Sequence, residues 1–390
     1  MNFSIITPSL NQLEYLKRCV ASVADQVAPK ELRTADGSRS SAVGSQGAEA
    51  PGQRTGSETA EEALNEIPIS TCDNLNGFNE SGTLSVHHHI QDGGSTDGTV
   101  EFLQKFDAEL REQQSKVSAD LSPLRPVSPL GRKRNGRAFR FGSRGSASAV
   151  CPAYTFSYSS ERDAGMYDAL NKGLARADGD VVAWLNCDEQ YLRGTLKKAE
   201  VFFRANPFVD ILFGGMLMVD SQGKLLACRQ AMPMRRYFLE ASYLYNYSCA
   251  MFVRRSLWEQ RGGFDTAYRN AGDEEWVRRA MVSGAKTATL KEYLSAFGYS
   301  AGNLSSAEGA LEEHEALKRA GSAAGRIFKL PVNLLRLAEK AARGGQIQKT
   351  PVEYELYVEE LKKRCKFEVA KPSSQWPDMK TPYLMSHRLK

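Results

Sequence analysis

The 390-residue chain has few cysteines, and they form no paired motif. None of the seven belongs to a Cys-x-x-Cys pair, so neither a disulfide framework nor a zinc site is indicated. The longest apolar stretch, VDILFGGMLMV, is too short to span a bilayer. The start, MNFSIITPSLNQ, lacks the basic and apolar regions of a signal peptide. We therefore expect a cytoplasmic protein whose cysteines stay reduced.

Two common nucleotide-binding loops are also missing. The chain contains neither Gly-x-Gly-x-x-Gly nor Gly-x-x-x-x-Gly-Lys-Ser/Thr, so Rossmann and P-loop sites lose their main support. The net charge of +5, from 51 basic and 46 acidic residues, is too small to predict nucleic-acid binding. Three consecutive histidines, His87 to His89, alternate faces on a strand and cannot converge on one metal ion, which favours a structural role.

What the chain does contain is an alternation of strand and helix patterns. Residues 3–7 predict a buried strand, and the apolar spacing of Leu13, Leu16, Val20 and Val23 predicts a helix. Four later segments repeat the alternation: GMYDALNKGLARA, DVVAWLN, GTLKKAEVFFRAN and VDILFGGMLMVD. This pattern predicts an α/β fold whose central, mostly parallel sheet is flanked by helices.

The composition divides the chain into a main domain, an extension and two insertions. We expect the α/β domain over residues 1–300 and a mainly helical extension over 301–390. Ser-, Gly-, Pro- and Arg-rich stretches at about 28–82 and 121–148 bury too little apolar area to order themselves, and they predict low-order insertions.

Three polar motifs follow predicted strands or begin predicted helices. In QDGGSTDGT, Asp92 ends a strand and is followed by Gly93 and Gly94, which let the backbone approach a ligand closely. An acidic residue in this place can bind ribose hydroxyls or a base N–H. The alternative is an ordinary strand-to-helix turn with a good N-cap.

The second motif is VVAWLNCDEQ, where a buried strand ends in Asn186, Asp188 and Glu189. A divalent cation that bridges a diphosphate prefers hard oxygen ligands and needs only one or two carboxylates from the protein. A turn or a helix cap remains the alternative for this segment.

The third motif, GGFDTAYRNAGDEEWVRRA, places Asp273, Glu274 and Glu275 at the start of a predicted helix. Carboxylates are favoured there by the helix dipole, so capping is one interpretation. The other is a general base that removes a proton from an acceptor hydroxyl.

Together these segments resemble the inverting family 2 glycosyltransferases, which have a GT-A fold, and especially bacterial members that build polysaccharides. The matching stretches are SIITPSLNQLEYLKRCVASVADQ, HIQDGGSTDGTVEFL, SERDAGMYDALNKGLARADGDVVAWLNCDEQY and GGFDTAYRNAGDEEWVRRA. They cover most of residues 1–290 apart from the two insertions. Their common order and spacing carry the resemblance.

The resemblance implies a role for each matching residue. The donor-binding residues would be Thr7, Pro8, Ser9, Asp92, Gly94, Asp163, Asn171, Lys172 and Asn186. The family's Asp-x-Asp metal motif stands here as Asn186-Cys187-Asp188, so Asp188 would bind Mg²⁺ or Mn²⁺ with support from Glu189. GDEEWVRR is similar to the family's Glu-Asp-x-Asp-Leu-x-x-Arg segment, which makes Asp273 the catalytic base and Glu274 its rival.

The resemblance thereby implies a reaction. A sugar would pass from a UDP- or GDP-sugar to a hydroxyl of a saccharide or lipid-linked acceptor, with inversion, as one carboxylate takes the acceptor proton. A sugar nucleotidyltransferase would need a Gly-rich, basic loop after the first strand, which TPSLNQLEYL lacks. Because Asn186 and Gly272 replace usual carboxylates, a non-catalytic nucleotide-sugar-binding protein is the alternative.

The extension contains a basic amphipathic stretch at residues 326–343. Its apolar residues alternate with arginines and lysines, a pattern that suits the surface of an anionic membrane. Peripheral contact with the inner face of the cell membrane would fit a lipid-linked acceptor. The alternative is a helix packed on the main domain, with its basic residues in water. Pro331 is expected to break the helical pattern of this region.

Overall fold

The computed structural model describes residues 1–27, 84–120, 153–299, 309–345, 349–359 and 361–373. The two predicted insertions, at about 28–82 and 121–148, lie outside these residues.

Strands and helices alternate along the described chain, as the sequence predicts. The strands are β1 Asn2–Ser9, β2 Ser85–Asp92, β3 Tyr154–Ser160, β4 Val181–Trp184, β5 Glu189–Tyr191, β6 Ile211–Val219, β7 Leu225–Arg229, β8 Met251–Arg254, β9 Thr287–Gly298, β10 Val352–Leu356 and β11 Cys365–Val369. The helices are α1 Leu13–Ala24, α2 Thr99–Asp120, α3 Met166–Leu174, α4 Thr195–Ala205, α5 Arg236–Ala241, α6 Arg255–Arg261, α7 Gly272–Val282, α8 Ala310–Ala320, α9 Ala323–Ile327 and α10 Lys329–Ala342, with a short 3₁₀ turn at Ser248–Ala250.

Nine strands form one mixed sheet in the order β3-β2-β1-β4-β8-β6-β9-β5, with β7 paired to β6. The half made of β1 to β4 is parallel, as expected. In the other half β6 and β9 are also parallel, but β8, β7 and β5 each pair antiparallel with their neighbours. The α/β fold class is confirmed, with a sheet that is parallel on one side and mixed on the other.

Strand β1 illustrates how the sheet separates two apolar layers. Phe3 and Ile5 point into one layer, which contains the buried face of α1. Ile6 points into the other, together with Leu170 of α3. Because successive strand residues face opposite sides, a strand with both faces covered is apolar almost throughout.

The three histidines of β2 divide between these two faces. His88 is fully buried, with its Nε2 3.0 Å from Thr7 Oγ1 and its Nδ1 3.2 Å from the Tyr154 hydroxyl. His87 and His89 lie on the opposite face, where both contact the Ser157 hydroxyl at 2.8 Å. All three therefore act as hydrogen-bonding residues between neighbouring strands.

The extension contains helices α8 to α10 and then a hairpin, β10–β11, that the sequence did not predict. The predicted break at Pro331 is wrong, because α10 begins at Lys329 and includes this proline in its first turn. A proline there loses no hydrogen bond, since the first helical N–H groups have no intrahelical acceptor. No helix among the described residues is long and apolar enough to cross a bilayer.

One arginine fastens the hairpin to the main domain. Arg364, whose surface is 4% exposed, donates to both carboxylate oxygens of Asp25 at 2.6 and 2.9 Å. The same guanidinium donates to the carbonyls of Tyr191, Glu355 and Ser22 at 2.9, 3.0 and 3.3 Å. Planar, bidentate arginine pairs of this kind are among the strong charge-assisted contacts in proteins.

Burial of the β2 histidines makes folding sensitive to acid. Burial, aided by the neighbouring histidines, lowers the pKa of His88 from 6.5 to about 3. Below pH 6.5 His88 therefore binds a proton in the unfolded chain but stays neutral in the folded chain. The free energy of unfolding is unaffected by this group above pH 6.5 and decreases as the pH falls toward 3.

We expect the His88→Gln variant to lose less stability on acidification than the wild type. The slope of unfolding free energy against pH should be shallower by up to about 1.4 kcal/mol per pH unit between pH 6 and 4.5. Urea denaturation at several pH values measures both slopes. Parallel slopes would contradict the assignment of this proton uptake to His88.

Candidate active site

The parallel half of the sheet brings three strand ends to one edge. Ser9, the last residue of β1, pairs with Asp92, the last residue of β2. Ile6 pairs with Trp184, the last residue of β4. The segments that follow β1, β2 and β4 therefore leave the sheet side by side, which is where ligands bind in open α/β sheets.

The carboxylate of Asp92 organises the turn after β2. It has no exposed surface and accepts hydrogen bonds from the N–H groups of Gly94 and Ser95 at 3.0 Å. The hydroxyls of Ser95 and Ser160 donate to it at 2.5 and 2.7 Å. Gly94 has a φ of +91°, which favours glycine. These contacts are those of a strand-to-helix turn, the alternative interpretation of this motif, and a nucleotide contact of Asp92 stays a prediction.

The same turn is tied to the loop after β1. The Asn11 side chain accepts from the Thr96 N–H at 2.8 Å, and the Asn11 N–H donates to Ser95 Oγ at 2.8 Å. Asp97 accepts from the Leu13 N–H at 3.0 Å and from the Thr99 hydroxyl at 2.6 Å, so one carboxylate caps both α1 and α2. These contacts hold the two loops as one unit.

The residues predicted to line the nucleotide pocket from β1 differ in what they can offer a ligand. Thr7 is fully buried and faces His88, so its side chain is an interior group. The Pro8 carbonyl accepts from the Cys187 thiol at 3.1 Å. The buried Ser9 hydroxyl lies beside the Cys187 thiol, a weak hydrogen-bonding group, and meets no nitrogen or oxygen partner in the described part of the chain. Of the three, Ser9 retains unused hydrogen-bonding capacity.

Asp163 lies against the turn after β2. A Cβ at Gly93 would stand 2.5 Å from Asp163 Oδ2, so the glycine permits this approach. Asn171 and Lys172, by contrast, hold loops. Asn171 makes two hydrogen bonds with the backbone of Phe264 at 2.8 and 2.9 Å, and Lys172 donates to the Arg162 carbonyl at 2.8 Å.

The segment after β4 concentrates buried oxygen atoms. Glu189, 1% exposed, accepts from the Asn186 N–H at 2.7 Å. Asn186 Oδ1 is buried without a hydrogen-bond partner in the described part of the chain. Asp188 is half-buried and lines a cleft with Gln12, Tyr15, Ser221, Gly298 and Tyr299.

The protein supplies few ligands at this place, so these oxygens fit a hard cation only if other groups complete its coordination sphere. The described residues contain no group of three or more His, Cys, Asp or Glu side chains suited to hold a metal ion. The unpartnered amide oxygen of Asn186 and the carboxylate of Asp188 are nevertheless the ligand type that Mg²⁺ and Mn²⁺ prefer. Such an ion would take its remaining ligands from a diphosphate and water.

The start of α7 approaches this acidic segment. Burial raises the pKa of Glu189 well above its usual value, and the charges of Asp188 and Asp273 raise it further. Both neighbouring carboxylates therefore act electrostatically on Glu189. Motifs 85 residues apart in the sequence meet here, as their common resemblance implies.

Asp273 is the better placed of the two candidate bases. Its Oδ1 accepts from the Glu274 N–H at 2.8 Å and from the Tyr167 hydroxyl at 3.2 Å. Burial raises the pKa of this carboxyl, and the charge of Glu274 adds to the effect, against the hydrogen bond from the Glu274 N–H. A raised pKa makes a carboxylate a stronger base near neutral pH.

Glu274 is occupied by other side chains. It has no exposed surface, accepts two hydrogen bonds from Arg278 at 2.6 and 2.9 Å, and lies 2.6 Å from Nδ1 of His314. Burial alone would raise the pKa of Glu274, but the His314 contact and the Arg278 charge bring it below its usual value. Its contacts are those of an interior ion pair.

Glu275 and Arg279, the later acidic and basic residues of the GDEEWVRR segment, stabilise a turn. Arg279 binds both carboxylate oxygens of Glu275 at 2.9 and 3.0 Å. It also donates to the carbonyls of Arg261 and Gly263. The pair therefore fixes the turn between α6 and the loop that leads to α7.

Comparison with known sequences gives a family match for part of the chain. Residues 151–260 match the model of Glycosyl transferase family 2, which confirms the resemblance for this segment. Two Mycobacterium tuberculosis proteins, each named an uncharacterized glycosyltransferase, are 29% identical to the chain over 134 residues. That alignment covers 34% of this chain and 49% of each relative, so the chain spans about half the length of the curated relatives it matches.

Solved structures of low identity share part of the shape. Staphylococcus aureus TarS is 14% identical with a TM-score of 0.46, over 90% of this chain and 46% of that chain. The mannosyltransferase PcManGT from Pyrobaculum calidifontis, in complex with GDP-Man and Mn²⁺, is 15% identical with a TM-score of 0.41, over 88% of this chain and 75% of that chain. At these scores the likeness bears on neither donor nor acceptor.

Sequence reasoning missed several residues that shape the site. Tyr167 lies within a quoted motif, YDALNKG, but its contact with Asp273 joins residues 106 positions apart. Asp97 caps two helices, α1 and α2, a double role that no local pattern indicates. His314 lies in the extension, where a pair of acidic residues before a histidine carries no recognisable signal.

Gly272, at the position where the resemblance implies a glutamate, has a steric explanation. A Cβ at this position would lie 2.8 Å from the ring of Tyr167, which is itself buried. The ring that holds Asp273 therefore takes the space that a side chain at 272 would need.

We expect Gly272→Ala to destabilise the protein by about 1–3 kcal/mol through overpacking. In most helices the same change would stabilise by about 0.5–1 kcal/mol, so the sign is diagnostic. Denaturation in urea measures it, and the cost should shrink in a Tyr167→Ala background. A stabilised single variant would contradict the proposed steric cause.

Proposed function

We propose that the protein transfers a sugar from a UDP- or GDP-sugar to a hydroxyl of a saccharide or lipid-linked acceptor, with inversion, using Mg²⁺ or Mn²⁺. The observation that carries the proposal is the approach of Asp273 to the acidic segment after β4, where Asp188 and Asp273 both raise the pKa of Glu189. A base and a cation-binding group must both lie near the reacting sugar in such a transfer.

Asp273 is the proposed general base. Among the described residues, both hydrogen bonds to its carboxylate go to Oδ1, so Oδ2 can accept the proton of an acceptor hydroxyl. Its raised pKa favours proton uptake as the acceptor oxygen attacks. Glu274 is less suited, because Arg278 and His314 occupy its carboxylate in the interior.

Asp188 and Asn186 are the proposed cation ligands, with Glu189 behind them. A bound divalent cation would neutralise negative charge on the leaving nucleoside diphosphate. Glu189 holds the Asn186 backbone and amide, at 2.7 and 3.4 Å, and so orients the segment that carries both ligands.

The donor pocket would lie along the three strand ends. Ser9 offers a buried hydroxyl with spare hydrogen-bonding capacity, and Asp163 lies against Gly93 where the backbone can approach a ligand. Gly94 and Pro8 would shape the same wall, and Thr7 would support it from the interior, where it faces His88.

The decisive experiment is an assay of transfer and donor hydrolysis with Mn²⁺ or Mg²⁺. We expect Asp273→Asn to lower kcat by about 10²–10⁴-fold while donor binding changes little, because the amide cannot take a proton.

Asp188→Ala should weaken metal-dependent donor binding, read as thermal stabilisation by UDP- and GDP-sugars. Asp178→Asn, a change of an exposed carboxylate on a distant loop, is the matched control.

A non-catalytic nucleotide-sugar-binding protein is the second candidate. It is favoured by Asn186 and Gly272, which stand where carboxylates are usual, the second because Tyr167 fills the space. A wild-type protein that binds a nucleotide sugar yet never transfers or hydrolyses it would establish this candidate and exclude the first.

We also propose peripheral membrane contact through residues 326–343. Six of the eleven large apolar side chains that are exposed in the described chain cluster here: Ile327, Phe328, Leu330, Leu334, Leu335 and Leu337. Their exposed fractions run from 48% to 74%. Lys329, Arg336, Lys340 and Arg343 give the same region a basic character that complements anionic lipid headgroups.

We expect the protein to float with vesicles that contain phosphatidylglycerol and to be released by salt, since exposed charges are screened. A Leu330→Ser, Leu334→Ser variant should lose most of this binding. Phe208→Ser, which removes a 55% exposed apolar side chain elsewhere, is the control. Failure of the wild type to float at low ionic strength would exclude the contact, and a concentration-dependent dimer would assign the surface to a second copy.

A further inference from the structure

Helix α8, from the extension, binds the loop that leads into α7 through one carboxylate. The Glu313 carboxylate accepts hydrogen bonds from the N–H groups of Arg269, Asn270 and Ala271 at 3.0, 2.8 and 2.9 Å. The Asn270 side chain donates to it at 3.2 Å. Four hydrogen bonds from one short loop converge on this single carboxylate.

Glu313 binds the backbone just before α7, a helix that has no side-chain N-cap of its own. Ala271, the N-cap residue of α7, offers no side-chain acceptor to the first helical N–H groups. A carboxylate at a helix N-terminus is also favoured by the helix dipole. Burial would raise the pKa of Glu313, but the N–H groups of residues 269–271 bring it below its usual value, so the group stays ionised in this role.

The next residue of α8, His314, contacts the residue that follows Asp273. His314 Nδ1 lies 2.6 Å from the carboxylate of buried Glu274. Arg278 binds the same carboxylate and also donates to the Ser242 carbonyl at 3.2 Å. Glu274 is thus fixed between α8 and the body of the domain.

We propose that Glu313 and His314 are positioning residues for Asp273. One fixes the backbone that precedes Asp273, and the other fixes the side chain that follows it. This inference rests on the proposed role of Asp273 as the base. Neither residue needs to touch the substrate, because both act through the loop 269–271 and through Glu274.

Electrostatics add a second effect to the geometry. The groups that face Asp273 are Glu274 and Tyr167, which contact it, together with His314 and Glu189. Positive charge on His314 lowers the pKa of Asp273, against burial and the charge of Glu274, which both raise it. Loss of the histidine should therefore raise the pKa of the base.

The first test compares Glu313→Gln with Glu312→Gln, an exposed carboxylate of the same helix. We expect Glu313→Gln to lower kcat about 10–100-fold with the donor KM within about threefold, because misplacing a reacting group costs rate more than affinity. Amide hydrogen exchange at residues 269–271 should accelerate in the same variant. Glu312→Gln should match the wild type in all three measurements.

The second test follows the pH profile of kcat/KM in His314→Gln. Asp273 works deprotonated, so activity falls as the pH drops through its pKa, and we expect this acid limb to move to higher pH in the variant. If His314 only stabilised the fold, its loss would not change the pH at which the acid limb falls. A limb at the wild-type pH would overturn the electrostatic part of the inference.

Failure of the inference is distinguishable from failure of the proposed function. An active wild type whose Glu313→Gln variant keeps its kcat would overturn the positioning role alone. Equal losses of kcat and donor affinity, with a matching loss of folded protein, would reduce Glu313 to a structural residue. A wild type without transfer activity would overturn the proposed function and the positioning role together.

Discussion

The parallel pairing of β1 with β2 and β4 is the constraint on which the rest of the site depends. A shift of register by one residue would turn every side chain of β1 to the opposite face of the sheet, where it would meet differently shaped packing partners. Here Phe3 and Ile6 commit β1 to opposite apolar layers. Asp92 and the segment after Trp184 are thereby delivered to the same edge, whatever their own chemistry.

The acidic residues of this region divide into two groups by their contacts and their exposure. Asp92, Asp97 and Glu274 spend their carboxylates on backbone or ion-pair contacts within the protein. Asp188 and Asp273 remain half-buried at the edge of the same acidic region. Partial exposure leaves the second group open to solvent and to a ligand.

The elements that the sequence predicted are those with a strong local signal. Helix α1 begins at Leu13 and β4 carries the apolar run before Asn186, because apolar periodicity is read from neighbouring residues. The antiparallel half of the sheet was not predicted, since the insertion of β8 between β4 and β6 is a long-range pairing without a local signature. The break predicted at Pro331 was wrong because proline disrupts a helix interior but is tolerated in the first turn, where Pro331 lies.

The site followed the same division. Asp188 and Asp273 were identified from motifs and lie where the fold can use them, although their roles stay predictions. The contacts of Glu313 and His314 join elements some 40 residues apart and depend on how α8 packs, which no spacing in the chain encodes.

The contact between Arg364 and Asp25 bears on when the protein can finish folding. These residues are 339 positions apart, so Asp25 is made long before its partner. At synthesis rates of about 5–20 residues per second, the end of α1 waits roughly 20 to 70 s for Arg364 to appear. Contacts between residues so far apart in the sequence also slow folding, because the chain must close a long loop before the contact can form. The first helix of the domain is thus among the last to receive its full set of native contacts.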